Sequence, residues 1–173
     1  MVEALVTKLC FDTFKYQILI YIYTPPIRAL FSIIIIFIEG LRIFGCHSSK
    51  IALKSFHGKY VVAESNGHAN ANRVNRGSWE IFSVEELKDG IALKSHHGKY
   101  LVAENNYEVN ANRMWKQKWE TFKVLKQADG TYAFRTWKGR YLVAERDGRL
   151  RADRTWIRGW EKFKVECVKG NIK

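Results

Sequence analysis

Ile51-Ala52-Leu53-Lys54-Ser55-Phe56-His57-Gly58-Lys59-Tyr60 returns as Ile91-Ala92-Leu93-Lys94-Ser95-His96-His97-Gly98-Lys99-Tyr100, and again, altered, as Tyr132-Ala133-Phe134-Arg135-Thr136-Trp137-Lys138-Gly139-Arg140-Tyr141. Each copy continues through an Ala-Glu pair (63/64, 103/104, 144/145), a short turn containing Asn or Asp, and a Trp-Glu-x-Phe that starts at Trp79, Trp119 and Trp160. The glycines of the quoted stretch, Gly58, Gly98 and Gly139, stand 40 and 41 residues apart, and so do the three tryptophans. A period of this size marks an architecture made by repetition. It divides the chain into repeats 50–89, 90–130 and 131–173, preceded by a different segment, 1–49.

Within a copy the alternation of side-chain character has the period of two that belongs to strands. Ile51, Leu53 and Ser55 share one face, and Ala52 and Lys54 the other. In the second strand Val61 and Ala63 oppose Tyr60 and Val62. Asn66-Gly67 and Asp147-Gly148 read as tight hairpin turns, because these residues tolerate positive φ; Asn106-Tyr107 in the second copy is expected to turn differently. The third strand alternates Ala69 and Ala71 with Asn70 and Asn72, its counterparts being Val109/Ala111 and Leu150/Ala152. The fourth carries Trp79, Phe82 and Val84, and Lys88-Asp89-Gly90 and Ala128-Asp129-Gly130 lead into the next copy.

Four strands per copy make twelve, an all-β pattern suited to a barrel whose repetition leaves few open edges. Three equal sets are the number that closes a β-trefoil. The triplets Leu53/Leu93/Phe134, Val61/Leu101/Leu142, Val84/Val124/Val165 and Phe82/Phe122/Phe163 are expected to meet around a pseudo-threefold axis. Each such side chain contributes roughly 1.5 to 3 kcal/mol when buried.

The chain carries 29 Lys and Arg against 17 Asp and Glu in 173 residues. The excess belongs to the repeats and rises along them, from +1 through +3 to +7 in the third. Such a surface favours polyanionic partners without choosing among acidic protein filaments, nucleic acid, anionic lipid and sulfated sugar. The three cysteines, Cys10, Cys46 and Cys167, show neither a disulfide framework nor zinc spacing, which fits a reducing compartment. The sequence implies no cofactor and no metal.

The motif L-K-S-x-H-G-K-Y-[LV]-V-A-E, followed some fifteen residues later by W-E-x-F, resembles the trefoil repeat of the fascin family of actin-crosslinking proteins; the actin-binding hisactophilins are a more distant likeness. The resemblance covers residues 50–168 in all three copies. It implies a non-enzymatic module that binds filamentous actin in the cytoplasm, on the cytoskeleton. Fascin strings four trefoils together, whereas this chain has one, so crosslinking or bundling would require an oligomer or a membrane tether.

The third copy supplies the candidate docking face. Arg146, Arg149, Arg151, Arg154 and Arg158 stand where the first copy has Ser65, His68, Asn70, Arg73 and Gly77, and Lys138 and Arg140 lie in the preceding turn. Arginine's planar fork suits carboxylate or phosphate; the bland counterpart is a solvated charged face. Trp115, Trp137 and Trp156 do not recur in all copies. They are expected to fold down as plugs over the barrel end, the alternative being loop aromatics that stack on a ligand or anchor an interface. His57 and His97 face a Lys138 at the third equivalent site, which argues against a metal. Glu80, Glu120 and Glu161 recur beside each fourth-strand tryptophan, and a carboxylate present three times reads as a structural acceptor rather than a catalytic group.

Ile18 to Ile38 is a 21-residue stretch with thirteen Ile, Leu or Phe, long enough to span a bilayer but interrupted by Pro25-Pro26 and Arg28. Segment 1–49 therefore reads as a hydrophobic, helical extension: a membrane anchor, a hairpin packed on the barrel or a partner, or an appendage outside the functional protein. Behind actin binding stand two alternative functions, a carbohydrate-binding trefoil and a nucleic-acid-associating basic trefoil.

Overall fold

The computed structural model describes residues 43–46 and 48–169. The first copy forms β1 (Lys50–Ser55), β2 (Tyr60–Ala63), β3 (Ala69–Arg73) and β4 (Ile81–Leu87). The second forms β5 (Gly90–Lys94), β6 (Tyr100–Ala103), β7 (Val109–Arg113) and β8 (Lys123–Lys126). The third forms β9 (Tyr132–Arg135), β10 (Tyr141–Ala144), β11 (Leu150–Arg154) and β12 (Phe163–Cys167). The twelve strands and the all-β class are those the repeat predicts. Among the described residues the one helical turn is Lys118–Glu120, and no helix is long and apolar enough to cross a membrane. The stretch 18–38 and the expected helical extension lie outside the described residues.

Pairing is antiparallel throughout, and it returns to its start. The first strand of each copy pairs with the last strand of the preceding one: β4 with β5, β8 with β9, and β12 with β1. Within each copy the same first strand meets the Phe of W-E-x-F, as Ile51 opposite Phe82, Ile91 opposite Phe122 and Tyr132 opposite Phe163. These six links join β1, β4, β5, β8, β9 and β12 in a ring. The other six strands form three hairpins, β2–β3, β6–β7 and β10–β11, each with a register shift at the same place. The hairpins hold one another in a second cycle through three equivalent backbone bonds. Ala111 N–H donates to Gly67 O (2.8 Å), Ala152 N–H to Tyr107 O (2.9 Å) and Ala71 N–H to Gly148 O (2.7 Å).

Three of the four apolar triplets are fully buried: Leu53/Leu93/Phe134, Val61/Leu101/Leu142 and Phe82/Phe122/Phe163. Val84, Val124 and Val165 are half-buried and pack against that same cluster. Ala52, Ala92 and Ala133, with Val62, Val102 and Val143, are also buried although they lie on the opposite strand faces. The first two strands of each copy therefore bury both faces. The small residues on the second face admit close packing. The fourth-strand tryptophans depart from expectation. Trp79 precedes β4 rather than riding on it, and its ring packs outside the core against His97 at 4.9 Å.

The second-copy hairpin corrects another expectation. Tyr107 takes φ +68° and turns the chain as Gly67 (+90°) and Gly148 (+93°) do. Its N–H donates to Glu104 O at 3.1 Å, matching the 3.0 Å bonds of both glycines, and Asn106 Oδ1 accepts from Glu108 N–H as Asn66 and Asp147 do two residues along. A bulky side chain in this region costs about 1 to 2 kcal/mol. The closing bonds and the contact of the Tyr107 ring with Lys138 Nζ (4.7 Å to the centroid) offset it.

Cys46 and Cys167 are joined by a disulfide with Cα atoms 5.4 Å apart, against the reading of these cysteines as unpaired. Ile51 is opposite Cys167 in the β1–β12 ladder, so the residues just ahead of β1 arrive beside the end of β12. A separation of 121 residues conceals this neighbourhood in the sequence. Phe44, in the same approach, packs edge-on against Tyr132 at 5.0 Å and covers that part of the core.

Closure of the ring in the second copy leaves no room at Gly90. A Cβ there would stand 2.4 Å from the Phe122 carbonyl oxygen, on a backbone with φ +156°. Gly90→Ala is expected to destabilise the protein by about 2 to 4 kcal/mol in urea unfolding, by parting Ile91 from Phe122. Reduction of Cys46–Cys167 is expected to cost about 2 to 4 kcal/mol in the same assay.

Candidate functional site

The recurring glutamates explain how each copy positions its surface. Glu80 is buried, and its carboxylate accepts the Gly77 N–H at 2.6 Å, closing the loop three residues upstream. Glu120 does the same for Gln117 and Glu161 for Arg158, both at 2.8 Å. The remaining oxygen faces an arginine of the third strand, Arg73, Arg113 or Arg154, at 3.8, 3.8 and 3.7 Å. The same guanidinium reaches the Glu of the Ala-Glu pair: Arg73 to Glu64 and Arg113 to Glu104 at 2.8 Å, and Arg154 to Glu145 at 2.5 Å. Each copy thus ties its hairpin to the loop before its last strand with one arginine and two carboxylates. The glutamates are structural acceptors, and Arg154, one of the candidate docking residues, belongs to this tie.

The other candidates separate into paired and free groups. Arg149 is two-thirds exposed and bonds Asp147 at 2.7 Å; its backbone N–H and then its guanidinium hold the Asp147 carboxyl below the usual carboxylate range. Arg151 bonds Asp153 at 2.9 Å. Arg149 stands opposite Asn70 and Arg151 opposite Glu108, so both lie where the three hairpins meet. Lys138 donates to Asn105 O at 2.8 Å. Arg146 and Arg158 are exposed, Arg140 is half-buried, and the guanidinium groups of these three have no carboxylate partner among the described residues. Arg158 lies over the Trp156 ring, 5.2 Å from its centroid.

The loop tryptophans are not plugs. Trp115 is 80% and Trp156 54% exposed. Trp137 alone folds down: it stacks on Trp119 at 5.6 Å and donates to Ala103 O at 3.3 Å. His57 and His97 instead pack edge-on against Trp160 and Trp79, the turn of one copy resting on the tryptophan of the copy before it. Phe56, 64% exposed, lies against Gly159, which has space for no Cβ without the Phe56 ring giving way. Phe56, Trp156 and Arg158 therefore frame one patch beside the loop that Glu161 closes. The signal for Phe56 in the sequence is its replacement by His96 and Trp137 in the other copies.

A second set of contacts joins residues remote in the sequence. Glu85 accepts from Tyr100 Oη at 3.0 Å and pairs with Lys116; Glu166 accepts from Tyr60 Oη at 3.0 Å and pairs with Arg76 at 3.2 Å. Burial pushes the Glu85 carboxyl up, but the hydrogen bonds of Lys116 and Tyr100 outweigh it and hold the group below its ordinary value. At the third junction the matching residues are Leu125, Tyr141 and Ile157, and the clamp is absent.

No protein-family model matches the chain, and no curated protein matches it.

The division between structural and free arginines is measurable. Arg154→Ala strands the buried Glu161 carboxylate and is expected to cost about 2 to 3 kcal/mol in urea unfolding. Arg146→Ala, with no partner to lose, is expected to stay within about 0.5 kcal/mol of wild type.

Proposed function

We propose that the chain is a non-enzymatic binding module, a single β-trefoil of three four-stranded repeats, which engages filamentous actin in the cytoplasm. Support for the trefoil comes from the two threefold cycles of backbone pairing, one through the ring and one through the hairpins. The observation that carries the partner class is the patch of Phe56, Trp156 and Arg158. Two exposed aromatics flank a guanidinium that has no carboxylate partner among the described residues. Aromatic and arginine side chains of this kind are the groups that concentrate binding energy at protein interfaces. The exposed Arg146, on the neighbouring hairpin turn, adds positive potential suited to an acidic filament.

One such patch on one module binds a filament without bundling it. Bundling requires a second copy or a tether, for which the hydrophobic stretch 18–38 is the candidate on the membrane side. The cytoplasmic setting carries a condition: Cys46 and Cys167 stand there as thiols, so the strand network must hold without their bond.

A second reading, carbohydrate binding, is favoured by one feature. A depression of about 430 Å³ is lined by Glu104, Asn105, Asn106, Glu108, Asn110 and Trp119, a polar set with one aromatic ring. Nucleic-acid association rests on net charge alone and ranks third.

Co-sedimentation of the full chain with filamentous actin across a salt series tests the proposal. Wild type is expected in the pellet, with binding that weakens as salt rises, and Trp156→Ala with Arg158→Glu is expected to weaken it about tenfold or more. A wild-type protein that stays in the supernatant at low salt overturns the actin reading, and a positive glycan array would then move the assignment to the second.

A further inference from the structure

The third junction, which lacks the glutamate clamp, opens into a cleft of about 770 Å³ between the tip of the β4–β5 hairpin, the loop 116–121 and the β9–β10 turn. Its volume lies in the range of small-molecule sites. Lys88, Lys116, Lys118, Lys123 and Arg135 line it, with Asp89 as the only carboxylate. Lys116 is matched by Glu85 outside the lining, which leaves four cations facing one acid and a net charge of +3.

The cations are held in place rather than scattered. Lys123 and Arg135 are directly opposite each other in the β8–β9 ladder. Like charges placed so are unfavourable; the β12–β1 junction holds the same kind of pair, Lys164 opposite Lys54, but with Glu166 two residues along the strand. At the two other junctions the residue equivalent to Arg135 leans on its own copy's tyrosine, Lys54 over Tyr60 at 4.9 Å and Lys94 over Tyr100 at 5.3 Å. Those tyrosines are bonded to Glu166 and Glu85. With Leu125 in the glutamate's place, Arg135 turns away and its Nε donates to Gly139 O at 3.2 Å. That bond fixes one edge of the guanidinium. Lys118 is set over the Trp137 ring at 4.6 Å, so the stacked Trp119–Trp137 pair serves as a support for its ammonium group. Where the other junctions hold a carboxylate of their own, this one has Leu125 and a group of cations.

We propose that this cleft binds a compact ligand carrying two or more phosphate monoesters, such as a multiply phosphorylated inositol ring. Phosphate monoesters carry about −1.5 to −2 each near pH 7, so two of them neutralise the cleft. Sulfate esters, with a single charge each, need three groups in the same volume. An arginine fork and ammonium groups together suit phosphate oxygens. Free inositol phosphate and a phosphoinositide head group present this same chemistry.

Calorimetric titration of the full chain with inositol hexakisphosphate at moderate salt tests the site, and flotation with vesicles of phosphatidylcholine containing phosphatidylinositol 4,5-bisphosphate separates the lipid source from the free one. Lys123→Glu is expected to weaken binding of the soluble probe about tenfold or more. Lys164→Glu makes the same charge change at the equivalent, exposed point of the β12–β1 junction and is expected to leave affinity within about twofold. Both sites are exposed strand positions, and circular dichroism checks that each variant folds. Binding to the soluble probe without flotation assigns a free ligand; flotation lost with Lys123→Glu assigns the head group. Absence of binding to either probe, or equal weakening by the two substitutions, overturns the site.

Discussion

No single copy can bury its own apolar face, and this is the constraint from which the architecture follows. Ile51 takes its in-copy partner from Phe82 and its other neighbour from the last strand of the third copy. Ile91 and Tyr132 repeat the arrangement. The first strand of each copy is therefore paired on one side within its own copy and on the other with the copy before it, and the second pairing exists only when that neighbour is in place. The ring and the core form together, and a local fault such as a methyl at Gly90 acts on the closure as a whole.

The parts of this architecture legible in the sequence are those that repeat. Strand positions, inward triplets and the structural character of Glu80, Glu120 and Glu161 could be read because three copies vote on each. What could not be read depends on where the copies touch or differ. The Cys46–Cys167 bond joins residues that become neighbours only through the β1–β12 ladder. The turn at Tyr107 is hidden because local propensity speaks against positive φ, while the hairpin's closing bonds and the Ala152 contact impose it. Arg154 reads as a docking group although Arg73 holds its place in the first copy, because the carboxylates that each of Arg73, Arg113 and Arg154 joins lie on two different segments brought together only by the fold.

Departures from threefold repetition are where surface chemistry gathers. Two junctions keep a glutamate bound by a tyrosine and a cation, and the third has Leu125, Tyr141 and Ile157. Two turns rest a histidine on a tryptophan, and the third stacks Trp137 on Trp119 instead. The third copy carries most of the net charge, and three of its arginines, Arg149, Arg151 and Arg154, are tied locally to Glu145, Asp147, Asp153 and Glu161. Net charge by copy points to the region. Only side-chain pairing separates the guanidinium groups that hold the fold from those left facing solvent.

The two ends of the strand network meet, since Val168 N–H donates to Lys50 O at 2.9 Å. Which copy comes first along the chain is then immaterial to the strand pairs they make. A circular permutant that joins these ends and opens the backbone at the Lys88–Asp89 turn keeps every strand pairing of the ring, with the second copy now leading. Any of the three copies can serve as the first.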